Sequence, residues 1–378
     1  MNEDDKTVET RRHTTALSPD PERPLPFEKK KKKDEEAMPV LDMAARVVVE
    51  PTEFYDCMQQ IARSQIHDEK KRRYYFRGES SSAYTLLPTL LRDYTYETLK
   101  SKHDANSPID LQKKLLDRFR RYTQHLIHAD NDFNAEIWAD FDTLCLAQHY
   151  GLPTLLMDWT LNPYVAAYFA VSGAYRRRIR EHLSANPNSE QYCVRVWAMR
   201  LKPSTDRKKH TVHLEERGQE WDRYLGNMTL APSGPLIVVP LVFTRRIAAQ
   251  AGRFVYCGHA ASDHGAHSDR LYSQSLAKYS YDQTEHGNEA ILPWDQLYSL
   301  DILFEIKDWR SAWKESHHGN EYDEQSDRDS KRMIEFKLKE FRKRIGQMIS
   351  GLDFTGFHAG RLFPDLEGWA RYLAEGNL

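Results

Sequence analysis

Cysteine is scarce in this 378-residue chain, and the four that occur (Cys57, Cys145, Cys193 and Cys257) are scattered, with no C-x-x-C pair among them. That spacing argues against a secreted disulfide framework and a cysteine zinc site, and predicts reduced, buried thiols in a cytoplasmic or nuclear protein. There is no run of about 18 apolar residues, so no segment is expected to span a membrane. Met1 to Asp5 leads into no apolar stretch, so no secretory signal is expected. An excess of one charge is missing too. Lys and Arg number 54 against 56 Asp and Glu, for a net charge of -2, so any nucleic-acid binding would need a local patch rather than a global field. Phosphate loop, nucleophile elbow and dinucleotide fingerprint are all absent. His210, His213, His259, His264 and His267 form no clean ligand set, and His264-x-x-His267 falls in a Gly/Ser/Asp loop, so no metal site is expected.

What is present divides the chain in two. Residues 1–38 are charged and polar, with Pro19, Pro21, Pro24 and Pro26 clustered and no hydrophobic periodicity, which predicts a disordered tail. Within it, Lys29 to Lys33 are followed at once by Asp34, Glu35 and Glu36. That run reads as a nuclear-import signal, a contact for an anionic surface or a protein partner, or a solvated linker. From about residue 39 the 40% hydrophobic and 11% aromatic content of the chain can build a sizeable core.

Periodicity places the elements of that core. Val47 to Val49 is a strand candidate, and Pro51 opens a helix to about Ser64 with Phe54, Met58 and Ile61 on one face. Tyr74 to Gly78 reads as a strand, and Leu111 to about His128 as a basic amphipathic helix. Phe141 to His149 reads as a helix stopped by Gly151-Leu152-Pro153. Asn162-Pro163 supplies an N-cap and first-turn pair for an uncharged, buried helix from Tyr164 to Ala174. Further strands are expected at Tyr192 to Met199, at Leu236 to Phe243 with Pro240 marking an edge or bulge, at Arg253 to Cys257 and at Leu303 to Ile306. Residues 202–224 are expected as loop or exposed helix and 312–330 as loop. Met333 to Met348 and Trp369 to Leu373 are expected as helices. Strands and helices alternate without a regular βαβ repeat, so the fold class is α+β, with a mixed sheet and surrounding helices.

Three blocks carry the chemistry. The first is Phe76-Arg77-Gly78-Glu79-Ser80, followed by Leu87 to Arg92. The second begins Leu146-Ala147-Gln148-His149-Tyr150-Gly151-Leu152-Pro153-Thr154 and continues through Leu156-Met157-Asp158-Trp159-Thr160, Asn162-Pro163 and Ala166 to Ala170. The third is Arg246 with Gln250-Ala251-Gly252-Arg253-Phe254. The guanidinium fork of Arg77 suits a phosphate or carboxylate, or else pairs with a buried acid such as Asp158. Gly78 allows close approach to the backbone. Gln148, His149 and Tyr150 offer an amide, an imidazole and a phenol within one turn, and His149 has the chemistry of a general base near neutral pH. Asp158 can orient His149, pair with Arg77 or cap a turn. Thr160 and Gln250 can hydrogen-bond a ligand, and Trp159 is a stacking surface or a core aromatic.

In their order and spacing these blocks resemble the FRG domain, the family of the Phe-Arg-Gly motif. The resemblance covers residues 76 to 254, and by continuity it implies a single FRG-type domain over 39–378. A more distant similarity is to ADP-ribosyltransferase-like folds. These have an Arg-Gly pair on an early strand and a Ser/Thr-bearing strand leading into a helix, as Arg77-Gly78 and Thr160 to Ala170 do here. Such folds also carry a Glu on a later strand, and this chain has Gln250 near the comparable place. The resemblance implies a nucleotide-type pocket for NAD. Arg77, Gly78, Thr160 and Gln250 would bind the ligand, and His149, Tyr150 and Asp158 would serve any chemistry. Two other readings stand beside it: a non-catalytic module for protein partners, and local nucleic-acid contact through the lysine run and the basic helix.

Overall fold

The computed structural model describes residues 46–67, 73–92, 105, 107–129, 140–203, 211–213, 234–240, 245–258, 292–307, 309–318, 322–323, 327–364, 368 and 370. The 1–38 tail with its lysine run, the His264-x-x-His267 loop and most of the closing helix expected at Trp369 to Leu373 lie outside them. Leu41–Leu378 forms one compact unit by its contacts.

Among the described residues, eight strands form one mixed sheet in the order β1-β8-β4-β2-β3-β7-β6-β5. They are β1 (Arg46–Val49), β2 (Tyr74–Glu79), β3 (Leu156–Thr160), β4 (Gln191–Leu201), β5 (Thr211–His213), β6 (Leu236–Val239), β7 (Gly252–Tyr256) and β8 (Trp294–Glu305). The outer pairs β1/β8 and β5/β6 are parallel, and the inner pairs are antiparallel. The fold is therefore α+β. The helices are α1 (Pro51–His67), α2 (Thr89–Arg92), α3 (Pro108–Ala129), α4 (Asp140–His149), α5 (Pro163–Gly173), α6 (Ile179–Ala185), α7 (Arg245–Ala249), α8 (Trp309–Ser316), α9 (Asp327–Phe354) and α10 (Ala359–Leu362). A π-helical turn, Ala174–Arg178, joins α5 to α6.

The centre of the sheet is its weakest seam. β2 pairs with β4 along its whole length, from Tyr74↔Arg200 to Glu79↔Arg195. β3 pairs with β7 from Leu156↔Tyr256 to Thr160↔Gly252. Between β2 and β3 there is one registered pair, Phe76↔Thr160. The sheet is thus two four-stranded halves that meet at one point and part beyond it.

Each half has its own helical cover. Phe76 of β2, Val194 and Val196 of β4 and Ile302 and Phe304 of β8 join a buried cluster with α1, α5, α6, α8 and α9. Leu156 of β3, Val238 of β6 and Phe254 and Tyr256 of β7 join another with α2, α3 and α4. A third cluster runs beneath both halves through Tyr75, Met157, Trp159, Trp197, Ile237, Val255 and Trp294. Burying such side chains contributes roughly 1.5–3 kcal/mol each.

Local chemistry sets the helix ends nearest the seam. The Asn162 side chain accepts from Tyr164 N at 2.9 Å, and Pro163 fills the first helical position of α5. α4 stops at Gly151, whose φ of +87° an L side chain rarely adopts. There Gly151 N donates to Gln148 O and Leu152 N to Ala147 O.

Four segments differ from the sequence expectation. Within 202–224, expected as loop or exposed helix, Thr211–His213 forms β5, paired in parallel with β6. The loop expected at 312–330 is occupied at both ends by helices α8 and α9. The cause is a buried pair four residues apart, Trp309 and Trp313, that faces the core beneath a polar surface. The short strand at Leu303 to Ile306 is the end of a twelve-residue strand, β8. Its period is hidden by Asp301, which is fully buried because Arg195 of β4 clamps it through Nε at 2.6 Å and Nη2 at 3.0 Å. The strand at Leu236 ends at Val239, just before Pro240, and lies between β7 and β5 rather than at an edge.

Candidate functional site

A cleft of about 320 Å³ opens where β2 and β3 part. Its walls come from β2 (Arg77, Gly78, Glu79), the end of α4 (Gln148, His149), β3 (Asp158, Thr160), α5 (Ala166, Phe169) and the corner between α7 and β7 (Arg246, Gln250, Arg253). Side chains alternate across a strand, so a closed sheet would keep Arg77 and Asp158 on opposite faces. The parted seam lets both line one space.

Six of the seven residues expected from sequence meet here: Arg77, Gly78, His149, Asp158, Thr160 and Gln250. Tyr150 does not. It begins the turn after α4 with 63% of its surface exposed, and its ring stands edge-on to His149 at 5.1 Å.

Arg77 is the centre of a buried polar network. Its Nε donates to Glu79 Oε1 at 2.7 Å and its Nη1 to the main-chain oxygen of Asp158 at 2.7 Å. The side chains of Arg77 and Glu79 keep 13% and 7% of their exposure, so water screens the pair weakly. Burial works against the Arg77 charge. The Glu79 and Asp158 charges and the Glu79 hydrogen bond outweigh it, so its pKa stands above the ordinary value. Arg92 Nη2 approaches the same Oε1 at 3.9 Å. Burial dominates at Arg92 and lowers its pKa. The buried acid that pairs with Arg77 is therefore Glu79, two residues along the same strand, while Asp158 offers it a carbonyl.

Asp158 presents its carboxylate to Gln148, whose Nε2 donates to Oδ2 at 2.9 Å. Gln148 Oε1 in turn accepts from Thr154 Oγ1 at 2.6 Å, and that oxygen accepts from Leu156 N. The chain of bonds fixes the end of α4 against the start of β3. Thr160 works on the backbone: its hydroxyl donates to Gln250 O at 2.6 Å and accepts from Asn162 N at 3.0 Å. Leu161 N donates to Ala251 O. These two bonds hold the corner at Ala251, whose φ of +47° is unusual for a residue with a Cβ. The Gln250 side chain reaches back to Leu362 O at 3.0 Å.

Gly78 serves the packing of the cleft wall. A Cβ there would stand 1.9 Å from Ala166 O, so α5 lies directly on the β2 backbone. Beneath the cleft, burial pushes the Cys257 thiol up to about 12, with the Arg77 charge pulling the other way.

The sequence reading left Glu79, Arg246 and Arg253 without a role. For Glu79 the available signal is its spacing: two residues from Arg77 on a strand is the same face. Arg246 and Arg253 flank Gln250 in the third block, and the corner that turns them into the cleft is visible only in three dimensions.

Among the described residues no group of His, Cys, Asp and Glu is placed to hold a metal ion, and no helix is long and apolar enough to cross a membrane. The fold and the site define an α+β protein with an open cleft at a sheet seam. The family model of the FRG domain matches residues 72–178, and the chain contains an FRG domain. That stretch supplies β2, β3, α4 and α5, hence every cleft wall except the α7–β7 corner. No curated protein and no solved structure matches the chain significantly.

Proposed function

We propose that the cleft binds a nucleotide-type ligand of the NAD class, in an FRG-type domain spanning 39–378, with ADP-ribosyltransferase-like chemistry as the leading enzymatic reading. The carrying observation is convergence: residues from five parts of the fold meet in one open cleft rather than in a closed core. A concave site with a few fixed polar groups is the usual form of a small-molecule site. Arg77, locked by Glu79 and the Asp158 carbonyl, presents a fixed planar donor to a phosphate or ribose. Thr160 positions the corner that carries Gln250. His149, half-buried at the rim, is the group suited to proton transfer. Tyr150, outside the cleft, has no part in this reading. Residues 1–38 are taken as a tail available to a protein partner, and the reduced thiols fit a cytoplasmic setting.

One observation favours the non-catalytic alternative. Arg77, Asp158 and Thr160 all hold internal hydrogen bonds, as a scaffold for a protein-interaction surface would require.

Calorimetric titration of NAD into wild type and Arg77→Ala, with thermal unfolding as the check on folding, separates the two. Saturable binding to wild type that is lost in a folded Arg77→Ala supports the nucleotide site. Absence of binding to wild type removes the NAD reading and leaves the interaction module.

A further inference from the structure

With little main-chain pairing at the seam, side chains hold the walls of the cleft in place. The corner between α7 and β7 is held by two sets of bonds. One ties it to the end of β3: Thr160 Oγ1 donates to Gln250 O at 2.6 Å and Leu161 N to Ala251 O at 3.2 Å. The other ties it to the C-terminal stretch Gly356 to Phe363. Gln250 Nε2 donates to Leu362 O at 3.0 Å, and Arg246 lies 4.2 Å over the Phe363 ring, a cation–π contact. The same stretch grips the α5 wall. Phe363 stands edge-on to Phe169 at 5.8 Å, and Phe357 stacks on Tyr164 at 5.4 Å. Phe169, Arg246 and Gln250 all line the cleft.

The stretch is a small element of its own. It leaves α9 at Gly356, whose φ of +83° closes the helix: Phe357 N donates to Leu352 O at 2.8 Å and Gly356 N to Asp353 O at 2.7 Å. Beyond that turn it braces itself. Arg361 Nη1 donates back to Gly356 O at 3.2 Å, and its guanidinium lies 5.8 Å over the Phe357 ring. His358 accepts from Arg361 N and caps the single turn of α10. At its far end Leu362 and Phe363 are buried, with 0% and 4% of their surface exposed. A braced strap thus joins α9 through one glycine turn, and its last ring touches α5 and α7 at once. Small elements held by a few side-chain contacts are those that open locally while the rest of a fold stays closed.

We propose that this strap is a regulatory latch of the cleft. Docked, it holds the α5 wall and the α7–β7 corner at a fixed separation. Undocked, it frees the corner, and with it Arg246 and Gln250, from α5. The inference rests on the nucleotide reading for what the cleft takes, and adds a control on that site. A ligand that spans both walls binds the docked state better. By linkage, occupancy then fastens the strap, and drawing the strap away loosens the ligand. Phe363 is a positioning residue in this scheme, acting through Phe169 and Arg246.

The test follows amide hydrogen exchange in the full chain, with and without NAD, for wild type, Phe363→Leu, Phe363→Tyr and Phe304→Leu. Phe304 is the matched control, a ring 1% exposed in the same buried cluster but on β8. In Phe363→Leu the amides of 245–252 should exchange about tenfold faster while β4 and β8 keep their protection, the loss expected for one cation–π and one edge-on contact. Phe363→Tyr keeps the ring and should restore the protection, and Phe304→Leu should loosen β4 and β8 without singling out the corner. NAD should slow exchange at Leu362 and Phe363 in wild type and bind Phe363→Leu about tenfold more weakly, with Phe304→Leu unaffected. A corner as protected as wild type in folded Phe363→Leu overturns the latch, as does faster exchange spread evenly over the sheet. NAD that binds wild type without slowing the strap, and binds Phe363→Leu equally well, upholds the NAD reading and overturns the latch. Selective release of the corner without NAD binding to wild type upholds the latch as a device of the cleft wall and removes the NAD reading. Should Phe363→Leu fail to fold, Gln250→Leu, which cuts the bond to Leu362 O and keeps the ring, makes the same comparison.

Discussion

Replacing Gly78 by alanine puts a methyl group where α5 already stands. The added Cβ would lie 1.9 Å from Ala166 O, 2.9 Å from Ala166 C and 2.9 Å from Ala170 N. Ordinary contact begins near 3.4 Å, so the shortfall is 3.4 minus 1.9, about 1.5 Å, against backbone atoms rather than a movable side-chain end. Either β2 bows away from α5 or the helix retreats, and the helix buries Val165, Ala166, Ala167, Tyr168, Ala170 and Val171. Overpacking of a tight core costs typically 1–3 kcal/mol and sometimes more, and a clash with main chain on both elements belongs at about 3 kcal/mol. With a urea dependence of about 3 kcal/mol per molar for a chain of this size, the unfolding midpoint should fall by about 1 M. Gly346→Ala is the matched control. It lies within α9 with nothing inside 4 Å of the new Cβ, so it should gain roughly 0.5–1 kcal/mol. Urea unfolding followed by far-ultraviolet circular dichroism measures both. A Gly78→Ala midpoint equal to that of wild type would refute the close-packing argument.

Two further outcomes follow from buried charges. His182 is half-buried, with Nε2 2.9 Å from Ser189 Oγ and its ring edge-on to Tyr192. Burial lowers its pKa below the ordinary 6.5, and a hydrogen bond with the Gln191 main chain opposes the shift. The unfolded chain then binds the proton more readily. Its contribution to stability is complete above pH 6.5 and is lost as pH falls through the lowered folded value. Unfolding free energy should therefore decline below pH 6.5 in wild type, and His182→Gln should flatten that part of the profile. An unchanged slope in the variant would count against the assignment. Asp301→Asn keeps the shape but leaves the Arg195 charge without its matched partner inside β4–β8, which should cost about 3–5 kcal/mol in urea unfolding. A loss below 1 kcal/mol would mean that water reaches this pair in the folded protein.

Much of the site was legible because its residues sit in short contiguous blocks with strong local signals. Asn162-Pro163 announced the start of α5, Gly151 announced the end of α4, and the three blocks led to six cleft residues. What stayed hidden was nonlocal. β8 reads as a weak strand because Asp301 interrupts its apolar period, and the residue that makes that burial tolerable, Arg195, is 106 positions away. Helix α8 hides because polar neighbours surround its two tryptophans. Glu79 was quoted as part of a motif without a function, since the strand spacing that pairs it with Arg77 also describes any two residues on one face. The order of the strands, and the seam between β2 and β3, leave no mark on local sequence.

That seam has a consequence for inheritance. Strands are ordinarily stitched by main-chain groups that every residue except proline supplies, so the stitching survives most substitutions. Here, past the pair Phe76↔Thr160, the Asp158 carbonyl is met by the side chain of Arg77. A join that would otherwise be indifferent to the genetic code is written in a single codon. The gap between the two halves of the sheet is therefore a heritable dimension, one that selection can widen or narrow by changing one residue.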